Sequence, residues 1–166
     1  MGILTLIGVK MNGNLTNEEL ITNFYTMKHI ELVRNLLNKI ILKILDRSNK
    51  HDQSKLEPPE VSEFAKYTDM LCHIAYGSKE YEECKKKLGP ALQHHYAHNR
   101  HHPEHFKNGI DDMNIIDLIE MFCDWKASSV RSMDGNIRKS IELNGERFKM
   151  SKQLIKILEN SVSLLD

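Results

Sequence analysis

"TNEELITNFYTMKHIELVRNLLNKIILKILD", residues 16–46, decides the fold class. Phe24, Met27, Ile30, Val33, Leu37, Ile40 and Ile44 recur at three- and four-residue steps. That spacing lines up one face of an α-helix, whereas a half-buried strand alternates at every second residue. Thr16-Asn17-Glu18-Glu19 has the Thr-x-x-Glu form of a capping box and places the helix start. His29 lies within a turn of Val33 on this helix.

Beyond this helix the polar stretch from Arg47 to Pro59 breaks the pattern, and Pro58-Pro59 predicts a new helix start through Val61, Phe64, Ala65 and Met70. Gly77-Ser78 punctuates the chain, and Lys79 to Lys87 reads as a solvated helical face. Gly89-Pro90 restarts a helix that runs from Ala91 towards His102, where Pro103 disfavours continuing. Residues 103–113 read as a loop, after which Asn114 caps a helix from Ile115 to about Arg131 with Asp117 in its first turn. Two further helices are predicted over 134–145 and 148–163, separated by Asn144-Gly145. Leu154, Ile155, Ile157, Leu158 and Val162 of the last are expected to pack within the bundle, with a homodimer contact as the alternative. Strand signals are missing beyond the first nine residues, so the expected fold is all-α, a bundle of about six helices.

The 166 residues suit a single domain: an N-terminal extension over 1–14, a core over 15–131 and C-terminal helices over 132–166. A 40% hydrophobic and 28% charged composition is that of a globular chain. Lys plus Arg and Asp plus Glu both number 23, which argues against a nucleic-acid binder relying on bulk electrostatics. Cys72, Cys84 and Cys123 are odd in number and lack CxxC spacing, so they read as reduced thiols. The opening MGILTLIGV is too short to span a bilayer and has no cationic stretch before it; Leu6 replaces the Ser or Thr that myristoylation of Gly2 requires. The expectation is a cytoplasmic protein without membrane association.

The sharpest chemical motif is "HDQSK", His51 to Lys55. An adjacent His-Asp pair offers a divalent cation one nitrogen and one carboxylate oxygen, while His29 and Asp124 supply ligands from separate helices. Lys55 is either an exposed surface lysine or a cation that holds a substrate phosphate. Asp117, Glu120 and Asp124 lie at i, i+3 and i+7 and share a helix face, where a nearby cation would relieve their repulsion. Trp125 reads as core, or else as a ring stacked on a nucleobase, and Arg131 falls on the side of Asp124, where its guanidinium suits a phosphate.

"HHYAHNRHHPEH", residues 94–105, holds six of the nine histidines. His94, His98 and His101 form one helical stripe, and His95, His98 and His102 an overlapping one; only one of them can face a metal cleft. No cysteine pairs accompany them, which disfavours a zinc finger.

The order His29, His51-Asp52, Asp124 resembles the HD-domain superfamily of metal-dependent phosphohydrolases, and "HDQSK" resembles its HD-x-G-K with Ser54 in place of glycine. More narrowly, "HHYAHNRHHPEHF" followed by "MNIIDLIEMFCDWKASSVR" resembles DUF5662, an uncharacterised HD-like family of bacteria and phages. The resemblance implies a divalent metal (Mn, Co, Ni, Zn, Mg or Fe), with a second ion held by histidines such as His95, His101 and His102; His73 is a weaker candidate. It further implies metal-activated water attacking phosphorus in a small phosphorylated substrate, most readily a nucleotide. Asp52, Lys55, His95 and His98 are the expected catalytic residues, and Lys55, Glu120, Trp125 and Arg131 the expected substrate contacts. Two alternatives are a di-iron oxygenase and a non-catalytic metal-containing nucleotide binder.

Overall fold

A computed structural model describes residues 15–74, 78–131 and 135–165, apart from the side chains at 69, 71, 72 and 131. The expected N-terminal extension, Gly77 and the side chain of Cys72 lie outside the described residues. The elements are α1 (Asn17–Lys50), α2 (Glu60–Phe64), α3 (Thr68–His73), α4 (Lys79–His98), α5 (Ile115–Arg131), α6 (Ile137–Arg147) and α7 (Lys152–Ser161), with 3₁₀ turns between several of them. Among the described residues there is no strand, so the fold is all-α as expected. No helix there is long and apolar enough to cross a membrane.

The chain divides into two compact units, Met1–Leu42 and Lys43–Asp166. In the first, α1 begins where the capping box predicts: Glu19 N–H donates to Thr16 Oγ1 at 3.3 Å, and Thr16 N–H donates to Glu19 Oε2 at 2.8 Å. Two donors that the first helical turn leaves open are thereby satisfied.

In the second unit, Met121 and Phe122 of α5 bury against Ile137 and Ile141 of α6 and Leu158 of α7, with Met150 and Val162 closing the cluster. Leu154 and Ile155 pack against it, while Ile157 stays exposed. The C-terminal apolar segment therefore packs mainly within this unit.

Four boundaries differ from the sequence reading, each for a local reason. The helix expected through Val61 to Met70 is interrupted between Phe64 and Thr68 and forms α2 and α3. The charged run and the segment after Gly89-Pro90 join in one helix, α4, kinked where Gly89 takes φ 31° and ψ −105°, a conformation open to glycine. That helix stops at His98 rather than continuing to His102, because Asn99 turns to extended backbone and its side-chain amide bonds the His95 carbonyl at 2.8 Å. Asn144-Gly145 lies inside α6 instead of ending it; a Cβ on Gly145 would meet Ile155 Cδ1 at 2.9 Å, so the glycine serves close packing of α7. The break comes at Phe148 to Ser151, where Lys149 takes φ 51°.

Candidate metal centre

The site in the second unit starts with the residue after α1. His51 leaves the helix, and Asp52 then takes φ 56°, a left-handed conformation that Asp tolerates better than most residues. This turn aims the two neighbouring side chains towards the same space. His51 Nε2 lies 3.6 Å from Asp52 Oδ2 and 3.8 Å from Asp124 Oδ1, an oxygen delivered by α5.

The histidine-rich segment supplies the opposite wall, and because α4 ends at His98, neither predicted stripe forms it. His95 comes from the last turn of α4, while His101 and His102 come from the turn beyond it. His95 and His101 Nε2 each lie 3.5 Å from Asp52 Oδ1, and His95 Nε2 lies 2.9 Å from His102 Nε2. Two four-residue groups result, Asp52-His95-His101-His102 and His51-Asp52-His101-Asp124, each with one ligand atom per residue within 4.8 Å of the others. They share Asp52 and His101.

The residues fit a divalent cation on three grounds. Asp52 Oδ1 and both ring nitrogens of His101 are buried with no hydrogen-bond partner. Leaving such atoms unsatisfied costs about 1–3 kcal/mol each, which a cation would offset. The donor set is imidazole nitrogen and carboxylate oxygen without thiolate, which suits Zn, Mn, Fe, Co or Ni. Third, burial and charge favour the ligand form at His95, His102 and Asp52. Burial, reinforced by neighbouring positive groups, pushes His95 and His102 below the ordinary imidazole range, so their lone pairs are available. Asp52 is held below the usual carboxylate range, because Lys55 overcomes the burial that opposes ionisation.

A second layer of carboxylates fixes the rings. Glu60, fully buried, accepts from His94 Nδ1 at 2.7 Å and from His95 Nδ1 at 2.8 Å. With Nδ1–H committed there, His95 presents an unprotonated Nε2. Ser54 Oγ donates to the same Glu60 oxygen at 3.1 Å and accepts from Asn99 Nδ2 at 2.7 Å. Glu120 accepts from His51 Nδ1 at 2.9 Å and from Arg47 at 2.7 Å; its Oε1 is also 3.2 Å from His101 Nδ1, off the line of a hydrogen bond. Burial opposes its ionisation, but these contacts hold Glu120 well below the usual range, and the Glu120 bond raises the pKa of His51.

The cations that relieve the acidic face of α5 are therefore largely internal. Asp117, with no exposed surface, is bracketed by Arg47 at 2.8 Å and Arg100 at 3.0 Å, and its carboxylate also accepts from the Asn114 amide at 3.0 Å. Lys55 donates to Asp52 Oδ2 at 2.6 Å, and its side chain is 37% exposed, which leaves a cation on the solvent side of the cluster.

The other expected site residues fall elsewhere. His29 is exposed in the first unit, and neither ligand group includes it. His98 is exposed, stacks on His94 with ring centroids 4.0 Å apart, and bonds the His94 carbonyl. Trp125 packs against the core, and the side chain of Arg131, the last residue of α5, lies outside the described residues. Glu60, Asn99 and Arg47 were not singled out by sequence; Glu60 reads there as an ordinary first-turn acid, and its partners lie 34 and 35 residues away.

An all-α unit with an imidazole–carboxylate cluster that could hold a metal ion is what the geometry defines. The chain matches DUF5662, a family of unknown function, over residues 18–164, and belongs to that family. No curated protein and no solved structure matches it.

Proposed function

We propose that the protein is a metal-dependent phosphohydrolase acting on a small phosphorylated compound, most readily a nucleotide. The observation that carries the reading is the pair of ligand groups sharing Asp52, with Lys55 bonded to that same carboxylate on the open side. His51, Asp52 and Asp124 would hold one divalent ion and Asp52, His95 and His102 another, with His101 completing either set. Metal bound there supplies Lewis acidity and lowers the pKa of water to near neutrality. Asp52 orients the cluster from its left-handed turn, and Glu60 and Glu120 hold the imidazoles in place. Lys55, on the open side, pairs with the phosphate of the incoming substrate and neutralises charge that develops on the phosphoryl oxygens. The neutral balance of the chain favours a mononucleotide or cyclic dinucleotide over a long polyanion.

The same histidine-rich donor set around one shared carboxylate also suits a pair of iron ions, and this favours an oxygenase as the second reading. Protein purified without a tag and assayed against a nucleotide panel with Mn, Co, Ni or Mg separates the two. Hydrolysis of a phosphomonoester or phosphodiester bond, read as inorganic phosphate or as nucleotide products and lost in Asp52→Ala, is the expected result; oxygen uptake with iron, or nucleotide binding without turnover, would overturn the phosphohydrolase reading.

A further inference from the structure

Two histidines of the rich segment belong to neither ligand group. His94 and His98 stand four residues apart in the last turns of α4, and their rings stack with centroids 4.0 Å apart and planes 23° from parallel. Residues four apart project from the same side of a helix. Two histidines at that spacing are a recurrent zinc-binding pair.

Each ring is also held by the kind of bond that metal-binding histidines make. Nδ1–H of His94 donates to Glu60 Oε1 at 2.7 Å, and Nδ1–H of His98 donates to the His94 carbonyl at 2.8 Å. A carboxylate and a backbone carbonyl only accept, so each bond puts the proton of the neutral ring on Nδ1 and leaves Nε2 its lone pair. Nε2 lies at the end of the ring away from the backbone. Stacked rings rising from one helix face therefore carry both Nε2 atoms at the same end. A tetrahedral ion bound at about 2.1 Å sets two nitrogens about 3.4 Å apart, near the 4.0 Å between these ring centroids.

We propose that Nε2 of His94 and Nε2 of His98 chelate a further divalent ion, of the class that imidazole suits: Zn, Ni or Cu. Two protein ligands, with water for the rest, hold an ion more loosely than a four-residue group does, so desalting removes it. This ion takes no part in the hydrolysis. Its site is joined to the inner cluster by one carboxylate, since Glu60 bonds His94 through Oε1 and His95 through Oε2. All these residues lie in the second unit.

Equilibrium dialysis of the untagged full chain against micromolar Ni, after saturation with Zn and desalting, tests the pair. The expected result is one exchangeable Ni per chain. Its affinity should fall by about tenfold or more in His98→Ala and in His94→Ala, because losing a ligand costs at least what losing its outer partner does. His105 makes the same kind of bond, to the Tyr96 carbonyl, but its ring neighbour is Phe106 rather than a histidine. His105→Ala should therefore bind Ni as the wild type does, and all three variants should keep wild-type helical circular dichroism. No exchangeable Ni in the wild type, or undiminished affinity in His98→Ala, overturns the proposal. Equal loss in His105→Ala would show scattered binding to surface histidines and overturns it as well. A chain that keeps no Zn through desalting, yet binds Ni in a His98-dependent way, would sink the inner centre and leave this pair standing.

Discussion

Glu60 Oε2 accepts the Nδ1–H of His95 at 2.8 Å, and both side chains are buried. The carboxylate has no solvent to fall back on, so its role is to fix the imidazole. Partners of this kind, one bond removed from a metal ligand, are worth about 10–100-fold in metal affinity. Glu60→Gln is therefore expected to weaken metal binding by about that factor while leaving helical content intact. Titration against a chromophoric chelator measures it; unchanged affinity would remove Glu60 from the site.

The histidines of residues 94–105 should separate sharply by substitution. His101 has both ring nitrogens buried and belongs to both ligand groups, whereas His98 is exposed and bonds the His94 carbonyl. His101→Ala is expected to lower bound metal, and His98→Ala to leave bound metal and turnover at wild-type levels. Elemental analysis of the two variants side by side checks this, and equal loss in both would contradict the assignment.

Arg47 joins the end of α1 to α5 by bonding Asp117 and Glu120 at once, and its own side chain is 23% exposed. Arg47→Ala leaves Asp117 with Arg100 but removes bonds to two carboxylates. The expected cost is about 2 kcal/mol, in the range for hydrogen bonds to charged groups. Urea unfolding should show a lower midpoint at unchanged slope.

The same carboxylates set an acid limit. Burial alone would raise the pKa of Asp117, but Arg100, the Asn114 amide and Arg47 hold it below the ordinary carboxylate value. A group depressed in the folded state contributes its stability in full above its unfolded pKa, about 3.9, and loses it as pH falls through the folded value. The melting temperature of metal-free protein is thus expected to fall as pH drops below about 4, and to do so less steeply in Arg47→Ala, where Asp117 is less depressed. Parallel slopes in the two proteins would show that Asp117 does not carry the effect.

Much of the fold was legible because its signals are local. The Thr16–Glu19 box, the Asn114 cap and the apolar periods of α1 and α5 each depend on residues within a few turns. Gly145 misled because a glycine that permits close packing against Ile155 reads in sequence like one that ends a helix. In the site, His51-Asp52 was visible as a dipeptide and Asp124 as part of an acidic face. Glu60 was not, since its bonds cross 34 and 35 residues, and which histidines point inward depended on α4 ending at His98.

In the proposed site Asp52 is the carboxylate shared by two ions. Metal content per chain, measured by mass spectrometry after saturation with Mn, Co or Zn and desalting, reads this out. Close to two equivalents are expected in the wild type and almost none in Asp52→Ala. Asp52→Ala retaining as much metal as the wild type would contradict it.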